Sequence, residues 1–426
     1  MNKRFYLGFL ALAIAVGVHA QSGTNSPYSQ YGIGVLTDQS SGFLRGMNGA
    51  GIGFRQGNVV NTLNPASYSS VDSLTMIFDL GLSGQFTNFR ESSSIGSTSV
   101  NAKNADFEYA IGSFRLLPRI GMAFGLLPYS NIGYKYVTST WLDNTNGTIT
   151  ETYQGNGGMH QLFLGAGWQV SKPLSVGVNV SYLWGDIEKT VSNSNTTYIN
   201  VLARNYSANV SSYKLDFGVQ WQKLVNKLDL LTVGATVGVG HKLKGDAKCE
   251  VINVSNKDTT TYTVADGYSI PMTYGIGASW RHTDKLIVNV DFAMQQWGKL
   301  DYPDVTASGN YGLQSGLLKD RYEVKGGLDF VPDANARKFY KRVHYRLGAG
   351  YATPYYKING ADGPKEISVS AGFGIPLQNS YNNRSILNVS AQWVQRSASN
   401  LINENTFRVN IGLTFNERWF AKWKVE

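Results

Sequence analysis

Phe407-Arg408-Val409-Asn410-Ile411-Gly412-Leu413-Thr414-Phe415 is apolar at every odd position and polar or small at every even one. Side chains of a strand point alternately to opposite faces, so this stretch folds with one greasy and one hydrophilic face. Tyr213, Leu215, Phe217, Val219 and Trp221 alternate in the same way with Lys214, Asp216, Gly218 and Gln220. So do Val343, Tyr345, Leu347, Ala349 and Tyr351 with His344, Arg346, Gly348 and Gly350. A soluble sandwich seldom carries this pattern in strand after strand of about ten residues. Lipid tolerates only closed hydrogen-bonding structures, so the fold class expected is all-β, a transmembrane barrel with an apolar outside and a polar lumen. Leu347 and Leu413 should face lipid, and Arg346 and Arg408 the lumen.

Fourteen such segments are legible from residue 74 onward, centred on 76–86, 107–114, 120–134, 161–168, 174–182, 213–221, 230–239, 272–280, 286–294, 322–330, 343–351, 367–375, 387–393 and 407–415. Connections after odd strands are long and polar (87–106, 135–160, 183–212, 242–270, 295–321), and most of those after even strands are short. Barrels keep short turns in the periplasm, so both chain ends are expected there. The turn 331–342 is longer than its neighbours and has no account in the pattern.

The start of the chain reads as an export signal. Lys3 and Arg4 precede an apolar run over 5–18 and a Val18-His19-Ala20 cleavage site, giving a signal peptide over 1–20. The run is shorter than the roughly 20 residues a spanning helix needs. Residues 21–73 do not alternate and read as a separate compact segment, 74–415 as the barrel. The tail 416–426 places Trp419, Phe420 and Trp423 among Arg418, Lys422 and Lys424. It suits an interfacial anchor, and a periplasmic handle for an envelope protein is the other reading.

Forty-seven glycines suit a crowded lumen, and 12% aromatics suit interfacial girdles. Cys249 is the single cysteine, which excludes a disulfide framework and a multi-cysteine metal site. The net charge of +9 falls by two once Lys3 and Arg4 are cleaved. Without a basic cluster or nucleic-acid motif, its expected partners are outer-membrane lipid and lipopolysaccharide, not nucleic acid. Gly49-x-Gly51-x-Gly53 and Gly238-x-Gly240 lack the strand–helix context of a dinucleotide site. His160, His241, His282 and His344 show no neighbouring nucleophile or acid, so no catalytic residue, metal or cofactor is expected. Lys214, Asp216, Arg281, Arg321, Glu323, Lys325, Asp329 and Arg346 project inward in this register. The cations among them are candidates to meet a carboxylate.

Two stretches resemble the FadL-type transporters of long-chain fatty acids and other hydrophobic compounds. Ser40-Ser41-Gly42-Phe43-Leu44-Arg45-Gly46-Met47-Asn48-Gly49-Ala50-Gly51-Ile52-Gly53, then Gly57-Asn58 and Asn64-Pro65-Ala66, is similar to that family's N-terminal hatch. Gly121-Met122-Ala123-Phe124-Gly125-Leu126-Leu127-Pro128-Tyr129-Ser130-Asn131-Ile132-Gly133-Tyr134 resembles its kinked third strand, with Ser130 where glycine is usual. The resemblance implies a hatch in the lumen over 21–73, with Tyr28, Tyr31, Asn64, Pro65 and Ala66 along the ligand path. It implies uptake of a hydrophobic small molecule or fatty acid, hatch movement, and lateral exit at Pro128, Tyr129, Ser130, Asn131 and Gly133. The residues alone say that Pro128 cannot donate to a ladder and so marks a bulge or gap. The alternative is a non-transporting barrel, a subunit or scaffold of an outer-membrane protein assembly.

Overall fold

The computed structural model describes residues 24–417 apart from 94–95, 143–146, 196–201, 254–257, 307–308, 378–384 and 400. The expected signal peptide and the tail from Arg418 lie outside the described residues. Fourteen antiparallel strands form the wall: β1 Met76–Ser93, β2 Gly96–Leu117, β3 Ile120–Leu142, β4 Gly147–Gln169, β5 Leu174–Asn195, β6 Leu202–Leu224 and β7 Asp229–Gly238. They continue with β8 Thr273–His282, β9 Leu286–Gln295, β10 Arg321–Phe330, β11 His344–Ala352, β12 Lys365–Leu377, β13 Ser385–Ser397 and β14 Asn403–Glu417. Each pairs with the next, and β14 closes on β1 from Met76↔Glu417 to Arg90↔Asn403.

The alternation sorts the faces as expected. Phe407, Ile411 and Leu347 are half-exposed on the outside, while Asn410 and Thr414 are buried inside. Outward aromatics such as Trp168, Trp221, Trp280 and Phe415 continue the apolar belt.

The long connections differ from expectation. Residues 87–106, 135–160 and 183–212 continue largely as paired strands, and β3, β4 and β6 reach 23 residues each. About 9–11 tilted residues cross a bilayer, so these hairpins project well beyond it. Their outer ends have water on both sides, so no apolar alternation marks them. Residues 242–270 hold a hairpin, Ala247–Asn253 with Asp258–Val264, that extends the wall through Cys249↔Tyr206 on β6. The turn 331–343 carries a one-turn helix, Phe339–Arg342, with Phe339 and Tyr340 exposed.

Residues 24–75 touch strands all round the wall and therefore lie inside it. A 3-10 helix at Pro27–Gln30, a helical turn at Gly42–Arg45 and a 3-10 helix at Pro65–Ser70 are linked by extended chain. The last strand ends at the short-turn side, but Asn25 lies beside Lys103 in the long-hairpin half. Both chain ends, expected at the short-turn side, lie outside the described residues, of which the first lie in the long-hairpin half. The inner segment runs down the lumen from the long-hairpin half before it enters β1.

Placing arginine at Leu347, on the lipid face, should cost roughly 2–4 kcal/mol of folding stability, and at lumen-facing Thr236 far less. Reversible unfolding into denaturant from lipid vesicles measures both; equal costs would contradict this register.

Candidate functional site

The lumen has three levels. At the long-hairpin end, Tyr28, Ile33, Ile132, Met159, Leu183, Trp297, Tyr355 and Tyr356 form one buried aromatic and aliphatic cluster. Tyr31 stacks on Tyr356 with ring centroids 5.3 Å apart, and Trp297 packs at a tilt against Tyr355 at 4.6 Å. At the short-turn end, Phe43, Leu44, Met47, Phe54 and Val59 pack together with Ile287 of the wall. Between them lies a cavity of about 290 Å³ whose walls carry Lys214, Asp216, Asp291, Arg321, Glu323, Lys325, Glu366, Arg396, Glu404 and Arg408.

Most of these charges are paired, and Arg408 donates to Gln85 Oε1 at 3.1 Å. Lys214 pairs with Asp216, Lys325 with Glu323 at 3.2 Å, Arg321 with Glu323 at 3.5 Å, and Arg396 with Glu366 at 2.8 Å. Arg346 lies lower, bound to Asp329 at 2.8 Å and stacked over Phe43 at 3.8 Å. Of the inward cations read from the sequence, Lys214, Arg321 and Lys325 meet at the cavity. Arg346 braces the helical turn below it, and Arg281 lies at the short-turn end of β8, away from the cavity.

The inner segment is tied to the wall from end to end. Tyr28 donates to Ile402 O at 2.5 Å. Arg45 pairs with Glu108 at 2.8 Å, both side chains almost wholly buried, and its ring neighbour Tyr109 donates to Asp79 at 3.0 Å. The Gly51 and Ile52 N–H groups both donate to Asp291 Oδ2, at 2.5 and 2.9 Å. Asn48 donates to Ser368 at 2.8 Å and accepts from Gln392 at 2.9 Å. Asn64 caps Pro65–Ser70 by accepting from Ala66 N at 3.1 Å, and its amide donates to Ile52 O and to Val219 O. Burial alone would raise the Asp38 carboxyl, but Lys325, Arg45 and Ser40 outweigh it and hold it at about 2. Its contribution is therefore present above the ordinary carboxylate range and lost only as pH falls through that value.

Arg45, Glu108, Asp38 and Asp291 were not singled out in the sequence. Arg45 gave the one available signal, a cation inside a glycine-rich run with no solvent-facing period.

The third strand breaks at Pro128. β2 and β3 pair from Leu117↔Ile120 only as far as Ala110↔Leu126, and the β3–β4 register shifts between Pro128 and Ser130. With no N–H at Pro128 and a bulge at Tyr129, β3 bends inward, and Ser130, Ile132 and Gly133 are buried. The inner segment covers the edge so freed. Its two-residue strand Val35–Leu36 pairs with Asn131 and Ser130, Thr37 N donates to Tyr129 O, and Gly133 N donates to Ser29 Oγ at 3.0 Å. Gln39 and Thr37 side chains both donate to Pro128 O, and Asn131 reaches Asp106 across the gap at 3.3 Å.

The full sequence, residues 1–426, matches the model of one family, BamG. The chain belongs to the BamG family. Among curated proteins no match is found. Among solved structures it is similar to the Pseudomonas putida toluene transporter TodX, at 13% identity and a TM-score of 0.63 over 90% of this chain and 100% of that one. The Ralstonia pickettii toluene transporter TbuX gives 12% and 0.61 over 88% and 98%. A Pseudomonas aeruginosa FadL homologue gives 11% and 0.55 over 90% and 98%. The chain thus has the FadL-type barrel fold, as the resemblance of its glycine-rich run and third strand implied. A closed barrel with a continuous apolar belt is the architecture of outer-membrane barrels.

Removing one partner of the buried Arg45–Glu108 pair, as in Arg45→Met or Glu108→Gln, should cost about 3–5 kcal/mol. The double variant Arg45→Met/Glu108→Leu should recover most of that loss. Denaturant unfolding of the three variants checks this, and additive losses in the double variant would show that the two charges do not act as a pair.

Proposed function

We propose that this chain is a sealed barrel serving as a subunit of an outer-membrane protein assembly, acting through its outer surface and projecting hairpins. The observation that carries this reading is the fixing of residues 24–75 in the lumen. Buried ion pairs, paired backbone groups and two apolar clusters hold the segment at every level, and the space left is lined by several charge pairs together with apolar side chains such as Leu36, Leu127, Phe163 and Met294. The charged part of that wall offers an alkyl chain nothing, since each CH₂ moved from an apolar site into a polar one forfeits about 0.8 kcal/mol. In this reading the leader over 1–20 exports the chain, the short turns and the tail from Asn416 face the periplasm, and the tail offers a docking handle. Membership of the BamG family, not of a named transporter family, favours it.

A second reading, uptake of a hydrophobic small molecule such as a long-chain fatty acid, is favoured by the broken β2–β3 ladder at Pro128. The named transport of toluene by two structural neighbours also supports it. In that reading the inner segment moves, and Tyr28, Tyr31, Asn64, Pro65 and Ala66 line the route to the gap at Pro128, Tyr129, Ser130, Asn131 and Gly133.

Planar-bilayer recording and vesicle uptake separate the two. The intact chain should conduct ions poorly, deletion of residues 28–64 should raise the current, and palmitate or toluene should enter loaded vesicles no faster than empty ones. Extraction from native membranes in mild detergent should retain protein partners in fixed stoichiometry. Saturable uptake that Pro128→Val slows, with no retained partner, would overturn the assembly reading.

A further inference from the structure

We infer that the turn 331–343 binds anionic phospholipid headgroups in the leaflet at the short-turn end of the barrel. This stands whether the lumen is sealed or conducts a ligand, because the turn acts outside the wall.

The aromatics beneath the turn fix its level. Trp168, Trp221, Trp280, Phe330, Phe373 and Phe415 all point outward near the short-turn ends of their strands, and each is about half-exposed. Such a ring of aromatic side chains marks the boundary between acyl chains and headgroups. Phe330, Tyr345 and Phe373 lie side by side in it, through the pairs Phe330↔Tyr345 and Tyr345↔Phe373 of β10, β11 and β12. The Tyr345 hydroxyl donates to Tyr340 O at 2.9 Å. That bond draws the tip of the turn to the lipid side of the wall, not over the mouth of the lumen.

The neck of the turn holds this tip outward. Val331 and Val343 are buried at its base, Val331 N donates to Lys285 O at 2.8 Å, and Asp333 N donates to Lys341 O at 2.9 Å. Asp333 carries the one carboxylate of the turn, and its side chain accepts from Asn335 N at 3.0 Å. Beyond the neck, Arg337-Lys338-Phe339-Tyr340-Lys341-Arg342 sets four cations around two aromatics. Phe339 is 54% and Tyr340 55% exposed, so neither ring folds back onto the barrel. Among the described residues Arg337, Lys338 and Lys341 make no ion pair, and all three are exposed.

Level and charge together select the occupant. A group that lies just beyond the aromatic ring and on the lipid side of the wall is among lipid phosphates. Lysine and arginine there gain from anionic headgroups, and a phosphate accepts charge-assisted hydrogen bonds from both. Lys341 N donates to Lys338 O at 3.2 Å, so one helical turn brings the two ammonium groups to the same side. The rings of Phe339 and Tyr340 then enter the boundary below the phosphates. A soluble acidic partner would match the charge but not the placement against Tyr345, on the face that lipid covers.

Native mass spectrometry of the purified full chain tests this, with dioleoyl phosphatidylglycerol or dioleoyl phosphatidylcholine added in the same detergent. The wild-type chain should hold phosphatidylglycerol about tenfold or more tightly. Each cation lost beside an anionic lipid weakens binding about fivefold, so Lys338→Gln/Lys341→Gln should lose roughly 25-fold for phosphatidylglycerol and leave phosphatidylcholine unchanged. Lys223→Gln/Lys227→Gln removes two exposed cations from a short turn without aromatics and should change the affinity by less than about twofold. Both pairs are exposed, so both variants should keep the heat-modifiable mobility of a folded barrel. Equal affinity for the two lipids, or equal losses from the two variants, would overturn the site. Displacement of the lipid by inorganic phosphate would mark a free-anion site and overturn it as well. If Lys338→Gln/Lys341→Gln instead released a protein partner on extraction from native membranes and kept the lipid preference, the turn would belong to an acidic protein surface and the inference would fail.

Discussion

The architecture depends on one close approach, between the backbone of the inner segment and a belt of glycines on the lumen face. Gly121 of β3, Gly177 of β5, Gly218 of β6, Gly234 of β7, Gly327 of β10 and Gly348 of β11 all lie against it. A Cβ at any of these would come closer than 3.0 Å to Tyr68, Pro65, Asn64, Ile52 or Met47. A fourteen-stranded wall of ordinary residues would leave no room for a folded chain at this level. The belt lets Pro65–Ser70 and the turn after Gly42–Arg45 lie flat on the sheet, which brings Asn64 to Val219 O and Asp291 to the Gly51 and Ile52 N–H groups. Ion pairs above and below then act on a segment already in van der Waals contact.

That contact divides the lumen. Apolar side chains of the inner segment face apolar clusters at the two ends, and the unfilled middle is lined by several charge pairs together with apolar side chains such as Leu127 and Phe163. The break at Pro128 has the same origin. β3 leaves β2 and bends inward, and the inner segment supplies the missing strand with Val35–Leu36. A strand break that elsewhere would be a hole is here partly mended from within, and among the described residues no strand pairs with that side of β3 above Gly133.

Much of this was legible in the alternation. Fourteen segments, their order and their lipid faces follow from period two, because the bilayer imposes an apolar requirement on one face only. The upper reaches of β1 to β6 were not legible, since with water on both faces Thr, Asn and Ser satisfy a strand as well as a loop. Pro128 announced its break because proline removes a donor. The pairing of Arg45 with Glu108, 63 positions on, was hidden: pairing across a lumen follows no local spacing. The direction of the inner segment was hidden for the same reason.

The central claim is that residues 24–75 are a fixed part of the fold. It is tested most directly by amide exchange at Gly51 and Ile52 in the purified barrel. If Asp291 and the glycine belt hold them as described, both amides exchange only with global unfolding and respond to denaturant with its full slope. Exchange within minutes, with little dependence on denaturant, would mean that the inner segment leaves its seat in the folded barrel and would contradict the account.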